Sequence, residues 1–321
     1  MANEPTKPSA PDGTTAQYRS QSTPPDSGAV RRVAAFAAGA PFTALVAAVE
    51  VAVVTVALGV PRSAAPVAVG LIAFAVYAAD HVADAEGDVS STPSRARIAL
   101  RYGDQLMTAA AVSYGLAVAL AVGAGPAALA LALVPGAVWV GYATGRPAAA
   151  GDLAAPLGTV SVPRLKDVFL LNSAAVAIAW AVAVVAAPLA FTGVTLEAVG
   201  APTVALLFAY VAVRSFVDVE VPNVRDVAAD AARGTATLPV VYGTAGTRRI
   251  LLGVDAVAAG LLGAVAAIDA VPRPVLAALA AGLAVSVAVT ALADRLGGAA
   301  LGVAPDCSYL VAGAVLLAIG G

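Results

Sequence analysis

The sequence predicts an all-α fold, a polytopic membrane bundle of nine transmembrane helices. Three observations carry that reading. Hydrophobic residues fill 60% of the 321 positions and charged residues only 12%, and the mean hydropathy is +0.88. A soluble domain carries about 25% charged residues, so this chain has too little polar surface to coat a water-exposed core. Nine apolar runs approach the roughly 20 residues that a spanning helix needs. Finally, the cations are spread very unevenly over the segments between those runs.

Residues 1–30 are rich in Pro, Ser, Thr and charge. They are expected to form a disordered cytosolic tail, because such a segment cannot bury enough apolar surface to order itself. No apolar stretch follows the initiator closely enough to act as a secretory signal.

The transmembrane domain is expected over 31–321. Its spans fall near 34–59, 65–86, 104–124, 126–144, 167–191, 198–219, 247–268, 273–293 and 306–320, the last being short and glycine-terminated. Alanine and valine dominate, with scattered glycine, and small residues let helices approach closely in lipid. Pro61, Pro126, Pro188 and Pro272 punctuate span ends, while Pro41 and Pro135 are expected to kink spans. Trp139, Trp180 and the tyrosines are expected at membrane interfaces.

With a cytosolic N-terminus, fifteen of the 18 Lys and Arg fall on cytosolic segments. Only Arg62 and Arg273 fall outside, and Arg214 lies within the sixth span. That asymmetry orients the chain. Glu50, in the middle of the first span, is left with two options: to face a cavity or to pair with Arg214.

Two acidic segments then lie at the cytosolic ends of the second and sixth spans. The first reads Asp80-His81-Val82-Ala83-Asp84-Ala85-Glu86-Gly87-Asp88, and the second runs from Asn223 through Arg225, Asp226 and Asp230. Carboxylates near hydrocarbon are costly and by default mark a functional site. Residues four apart share a helix face, so Asp80, Asp84 and Asp88 are expected to form one stripe, and Asp226 with Asp230 another. Like charges at that spacing repel. Mg²⁺ would offset the repulsion, since it prefers carboxylate oxygens and is completed by substrate phosphates. Arg164, Lys166, Arg225 and Arg233 lie on the same side, and guanidinium forks suit phosphate oxygens. One cysteine, Cys307, and one histidine, His81, exclude intrachain disulfides, thiolate clusters and multi-histidine metal sites.

These residues give the chain a resemblance to the UbiA superfamily of intramembrane prenyltransferases, from about Val33 onward. Its first motif has the form N-D-x-x-D-x-x-x-D. Asp80 stands at the Asn position, His81 at the first Asp, and Asp84 and Asp88 match the last two. Its second motif is D-x-x-D-x-x-x-D with a tail G-x-x-T-L-P. Asn223 replaces the first Asp, Asp226 and Asp230 match, and Gly234, Thr237, Leu238 and Pro239 complete the tail. The second motif looks most like the menaquinone-type branch. Arg164-Leu165-Lys166 with Asn172, Ala179 and Trp180 resembles the family's entry into the fifth helix.

The resemblance implies a helical bundle around a central cavity and Mg²⁺-dependent transfer from a polyprenyl diphosphate to a hydrophobic acceptor. It implies metal ligation by Asp84, Asp88, Asp226 and Asp230, with Asp80 completing the catalytic set. Substrate contacts would fall to Arg164, Lys166, Arg225, Asn172, Asn223 and His81. The substitutions at positions 80 and 81 leave open a weakened or non-catalytic lipid-binding relative. A transporter using intramembrane acids is the other alternative, and it would place charges near mid-span.

Overall fold

The computed structural model describes residues 39–89, 92–144 and 169–320, and among them every regular element is helical. The expected tail, Arg164 and Lys166 lie outside the described residues. Nine longer helices form the bundle: α1 (Ala40–Ala57), α2 (Ala65–Ala83), α3 (Pro93–Ala124), α4 (Pro126–Thr144), α5 (Leu171–Thr192), α7 (Ala201–Glu220), α9 (Leu238–Ala267), α10 (Arg273–Ala291) and α12 (Ala304–Ile319). Shorter helices are α6 (Leu196–Val199), α8 (Asn223–Arg233) and α11 (Gly298–Leu301).

Seven of the helices are long and apolar enough to cross a membrane, namely α1, α2, α3, α5, α7, α9 and α10. Apolar stretches of α4 and α12 are shorter, Pro126–Ala137 and Ala304–Ile319. The chain is thus a multi-pass helical membrane protein.

Several boundaries differ from expectation for identifiable reasons. Pro41 opens α1 in its first turn and does not kink it, because proline's missing N–H costs nothing there. Pro188 lies inside α5. Helix α3 starts at Pro93, ahead of its apolar run, and leaves helical geometry at Tyr102 (φ −125°, ψ 25°). Helix α9 likewise starts at Leu238 and breaks at Gly243 (φ 68°, ψ 167°). In α3 the stretch before the break carries Arg95, Arg97 and Arg101, whereas in α9 it is the largely apolar run from Leu238 to Tyr242.

Chain order maps onto packing order. The long helices pack α1–α2–α3–α4–α5–α7–α9–α10–α12, and α12 closes the ring on α1. Helix α1 also contacts α5 and α10 and so runs innermost. An apolar cluster including Val51, Val54, Val184, Leu207, Val265 and Val275 fills the half of the ring remote from the acidic segments. The other half is left hollow.

Candidate functional site

The first acidic segment does not form one stripe. Helix α2 ends at Ala83, and Asp84 caps it with φ −96° and ψ 5°. A turn follows, and Asp88 sits in a separate 3-10 turn, Gly87–Val89. The run Ala85-Glu86-Gly87 breaks the repeat that i, i+4 spacing had suggested. Asp80 and Asp84 are exposed, whereas Ala85 is buried and pins the turn to the bundle.

The second segment is helical as expected. Asn223 opens α8, and its Nδ2 donates to the buried Glu220 carboxylate at 3.0 Å. Asp226 accepts a two-pronged bond from its neighbour Arg225, Nε at 2.8 Å and Nη2 at 2.6 Å. Asp230 is buried and accepts from the Thr237 hydroxyl at 3.4 Å. Gly234 then ends the helix at φ 72°, a conformation glycine adopts without cost.

The hollow half of the ring is a cavity of about 310 Å³. His81 from the first segment and Arg225 from the second both line it, together with Arg95 of α3. The lining also holds Tyr77, Trp180, Ser215, Asp218, Asp306 and Tyr309. Asp80, Asp84, Asp226 and Asp230 are not part of it, and among the described residues no three Asp, Glu, His or Cys side chains gather as a metal site. Gly302 gives Arg225 its place, since a Cβ there would lie 2.7 Å from Nη1.

Below the cavity, Arg214 organises four helices. It is 1% exposed. Nη2 donates to Asp218 at 3.4 Å and to Ser308 at 2.8 Å. Nη1 donates to Ser286 and, at 3.5 Å, to Asp255. Ser286 donates in turn to Asp255 at 2.9 Å, and the Tyr309 hydroxyl donates to Asp218. A guanidinium supplies five donors in a rigid fork, so one residue ties α7 to α9, α10 and α12. Glu50 is not bonded to it: Oε2 accepts from Trp180 Nε1 at 2.7 Å. Trp180 therefore faces the bundle interior and not a membrane interface. A second cavity of about 20 Å³ lies between Glu50, Arg214, Tyr210 and Ser308, too small for an isoprenoid tail.

The model of the UbiA prenyltransferase family matches residues 33–301. The chain belongs to the UbiA prenyltransferase family. A solved structure, the apo structure of a UbiA homolog from Aeropyrum pernix K1, superposes with a TM-score of 0.65 at 18% identity, covering 87% of this chain and 98% of that one. At that identity it supports the fold alone. No curated protein matches the chain.

In this UbiA-family chain the sequence reasoning located both acidic segments, and the fold brings His81 and Arg225 to one cavity. Asn172 is exposed in the first turn of α5 and is not part of the lining. The reasoning missed Asp218, Asp306, Tyr77, Ser215 and Tyr309. A signal existed for the first of these: Arg214 and Asp218 are four apart in an apolar run, and intramembrane ionisable residues come as partners. Nothing local marked the rest.

Proposed function

We propose that this chain transfers a polyprenyl group from a polyprenyl diphosphate to an aromatic or lipid acceptor within the membrane, using Mg²⁺, with its acidic segments on the cytosolic side of a cell membrane. The observation that carries this reading is the shared cavity, bordered by His81 of one acidic segment and Arg225 of the other.

The donor set suits a hard cation. Asp84, Asp226 and Asp230 offer carboxylate oxygens, and Mg²⁺ is usually held by one or two carboxylates plus substrate phosphates. A preformed cluster of three acids is not needed. Asp84 and Asp88 would hold metal from the first segment, supported by Asp80, and Asp226 and Asp230 from the second. Bound there, Mg²⁺ would neutralise the charge that builds on the departing diphosphate.

The protein's own groups have separate tasks. Arg225, joined by Arg164 and Lys166, would grip diphosphate oxygens, with His81 and Asn172 as further contacts. Asn223 holds the start of α8 through Glu220. Tyr77, Trp180 and Tyr309 line the cavity and would face the allylic cation with ring π-density while excluding water.

Asp84→Ala and Asp226→Ala should each abolish Mg²⁺-dependent transfer from radiolabelled geranylgeranyl diphosphate in membranes, with the protein still eluting as a folded species. Full activity in either variant sinks the reading. Mass spectrometry of lipids from membranes with and without the protein would name the acceptor.

Glu50, Arg214 and Asp255, buried near mid-span, favour a second reading as a proton relay. Mg²⁺-independent proton flux in proteoliposomes would support it over transfer.

A further inference from the structure

Helix periodicity sorts the cavity lining into layers. At its mouth stand His81, Pro222 and Gly302, with Arg95 and Arg225 beside them. Four residues further into α2 comes Tyr77, about 6 Å deeper at 1.5 Å per residue, and Asp218 of α7 and Asp306 of α12 line the cavity with it as a middle layer. Ser215 and Tyr309 follow one turn beyond, against the Trp180 ring and the walls Val46 and Val176. The mouth is cationic and the middle layer is acidic.

The middle layer presents acceptors. Asp218 is engaged on both oxygens, by Arg214 and by Tyr309. Asp306 makes no hydrogen bond or ion pair with another described residue. Ser215 Oγ is buried, in a residue only 4% exposed, and has no hydrogen-bond partner among the described residues. A buried hydroxyl left unpaired is costly, and it borders this cavity. The nearest deep cation, Arg214, has its fork filled by Asp218, Asp255, Ser286 and Ser308. Those partners take four of its five donors, both on each terminal nitrogen, so neither is open to an anionic ligand.

We propose that this middle layer is the acceptor subsite, built by Asp306 and Ser215 for an uncharged headgroup that donates hydrogen bonds, and built against carboxylated or phosphorylated acceptors. The assignment as an acceptor subsite rests on the transferase reading. Recognition of a phenol or alcohol there needs only the geometry. A hydroxyl on the acceptor donates to the Asp306 carboxylate and accepts from Ser215, while its ring or tail lies along Trp180 and Val176. An acceptor carrying its own carboxylate would set that charge against Asp306 and Asp218. Specificity then comes from repulsion as well as from attraction.

The test is calorimetric titration of the full chain in lipid nanodiscs with resorcinol and with its carboxylated analogue 2,4-dihydroxybenzoate, empty nanodiscs serving as the blank. Mg²⁺-pyrophosphate is titrated into the same preparations. Resorcinol should bind at least tenfold more tightly than 2,4-dihydroxybenzoate. Asp306→Asn should bring that ratio close to one. Ser215→Ala should weaken both ligands by threefold or more and keep the ratio. Pyrophosphate binding should be unchanged in both variants, which also reports an intact fold. The proposal is overturned if resorcinol fails to bind, if the carboxylate binds as well or better, or if the ratio survives in Asp306→Asn. Loss of pyrophosphate binding in the wild-type chain, with resorcinol binding intact, would instead remove the transferase reading and leave the subsite standing.

Discussion

Trp180 Nε1 donates a 2.7 Å hydrogen bond to Glu50 Oε2, joining α5 to α1 in the interior of the bundle. The other oxygen, Oε1, is buried with no partner among the described residues. This carboxylate therefore depends on a single donor. Trp180→Phe should destabilise the protein by about 1–3 kcal/mol, the cost of leaving a buried acceptor unpaired. Glu50→Leu combined with Trp180→Phe should lose less than the two single variants added together. Thermal unfolding in detergent reads both effects, and additive losses would show that the bond contributes nothing.

Arg214 is the only cation given to Asp218 and Asp255 by the ion pairs of the described residues. Removing it leaves two buried carboxylates uncompensated. Arg214→Met should therefore cost about 3–5 kcal/mol and reduce the folded fraction recovered from membranes, as measured by fluorescence-detected size exclusion. Arg214→Lys should rescue little, because an ammonium cannot reproduce a fork shared among four partners. Wild-type yield from the lysine variant would contradict this.

Helices α10 and α12 touch at Gly282, where a Cβ would lie 2.9 Å from the Ser308 carbonyl oxygen and 3.2 Å from Ala312 Cβ. Backbone cannot yield as a flexible side chain can. Gly282→Ala should cost about 1–3 kcal/mol through overpacking. Gly253→Ala in α9 is the control, since nothing lies within 4 Å of its Cβ position. There the change should be neutral or stabilising by up to about 1 kcal/mol, the helix-propensity difference. Of the two variants, only Gly282→Ala should lower the melting temperature.

Arg225 and Asp226 neutralise each other through two short bonds. A metal ion that takes Asp226 must displace that guanidinium. Arg225→Gln should thus lower the Mg²⁺ concentration for half-maximal transfer severalfold, while raising KM for the prenyl diphosphate through loss of a phosphate contact. Opposite shifts in the two constants are the signature. A parallel loss of both would mean that Arg225 only supports the fold.

How far the sequence could be read depended on the range of the forces involved. Spans were legible because hydrocarbon selects for apolar runs of sufficient length, a local property of composition. The second acidic segment was legible for the same reason: Asn223–Arg233 is one helix, so spacing alone sets Asp226 and Asp230 on one face. The first segment was misread as a continuous stripe because spacing assumes a helix, and α2 stops at Ala83. Tyr102 and Gly243 show the same lesson, since hydropathy marks where a membrane span begins and not where its helix does. Pairing was harder still. Glu50 had one candidate partner in sequence, Arg214, and packing gave it Trp180, 130 residues away.

The sequence by itself determined that this chain spans a membrane many times, that it carries two acidic segments at span ends, and that it belongs with intramembrane prenyltransferases. Those properties follow from burial costs and motif spacing along a single helix. Only the tertiary structure decided which side chains share the hollow half of the ring. Tyr77, Ser215, Asp218, Asp306 and Tyr309 meet there because α12 closes onto α1 and α7 packs beside α5. Contacts of that kind depend on which faces of separate helices turn inward, and no local pattern of residues encodes them.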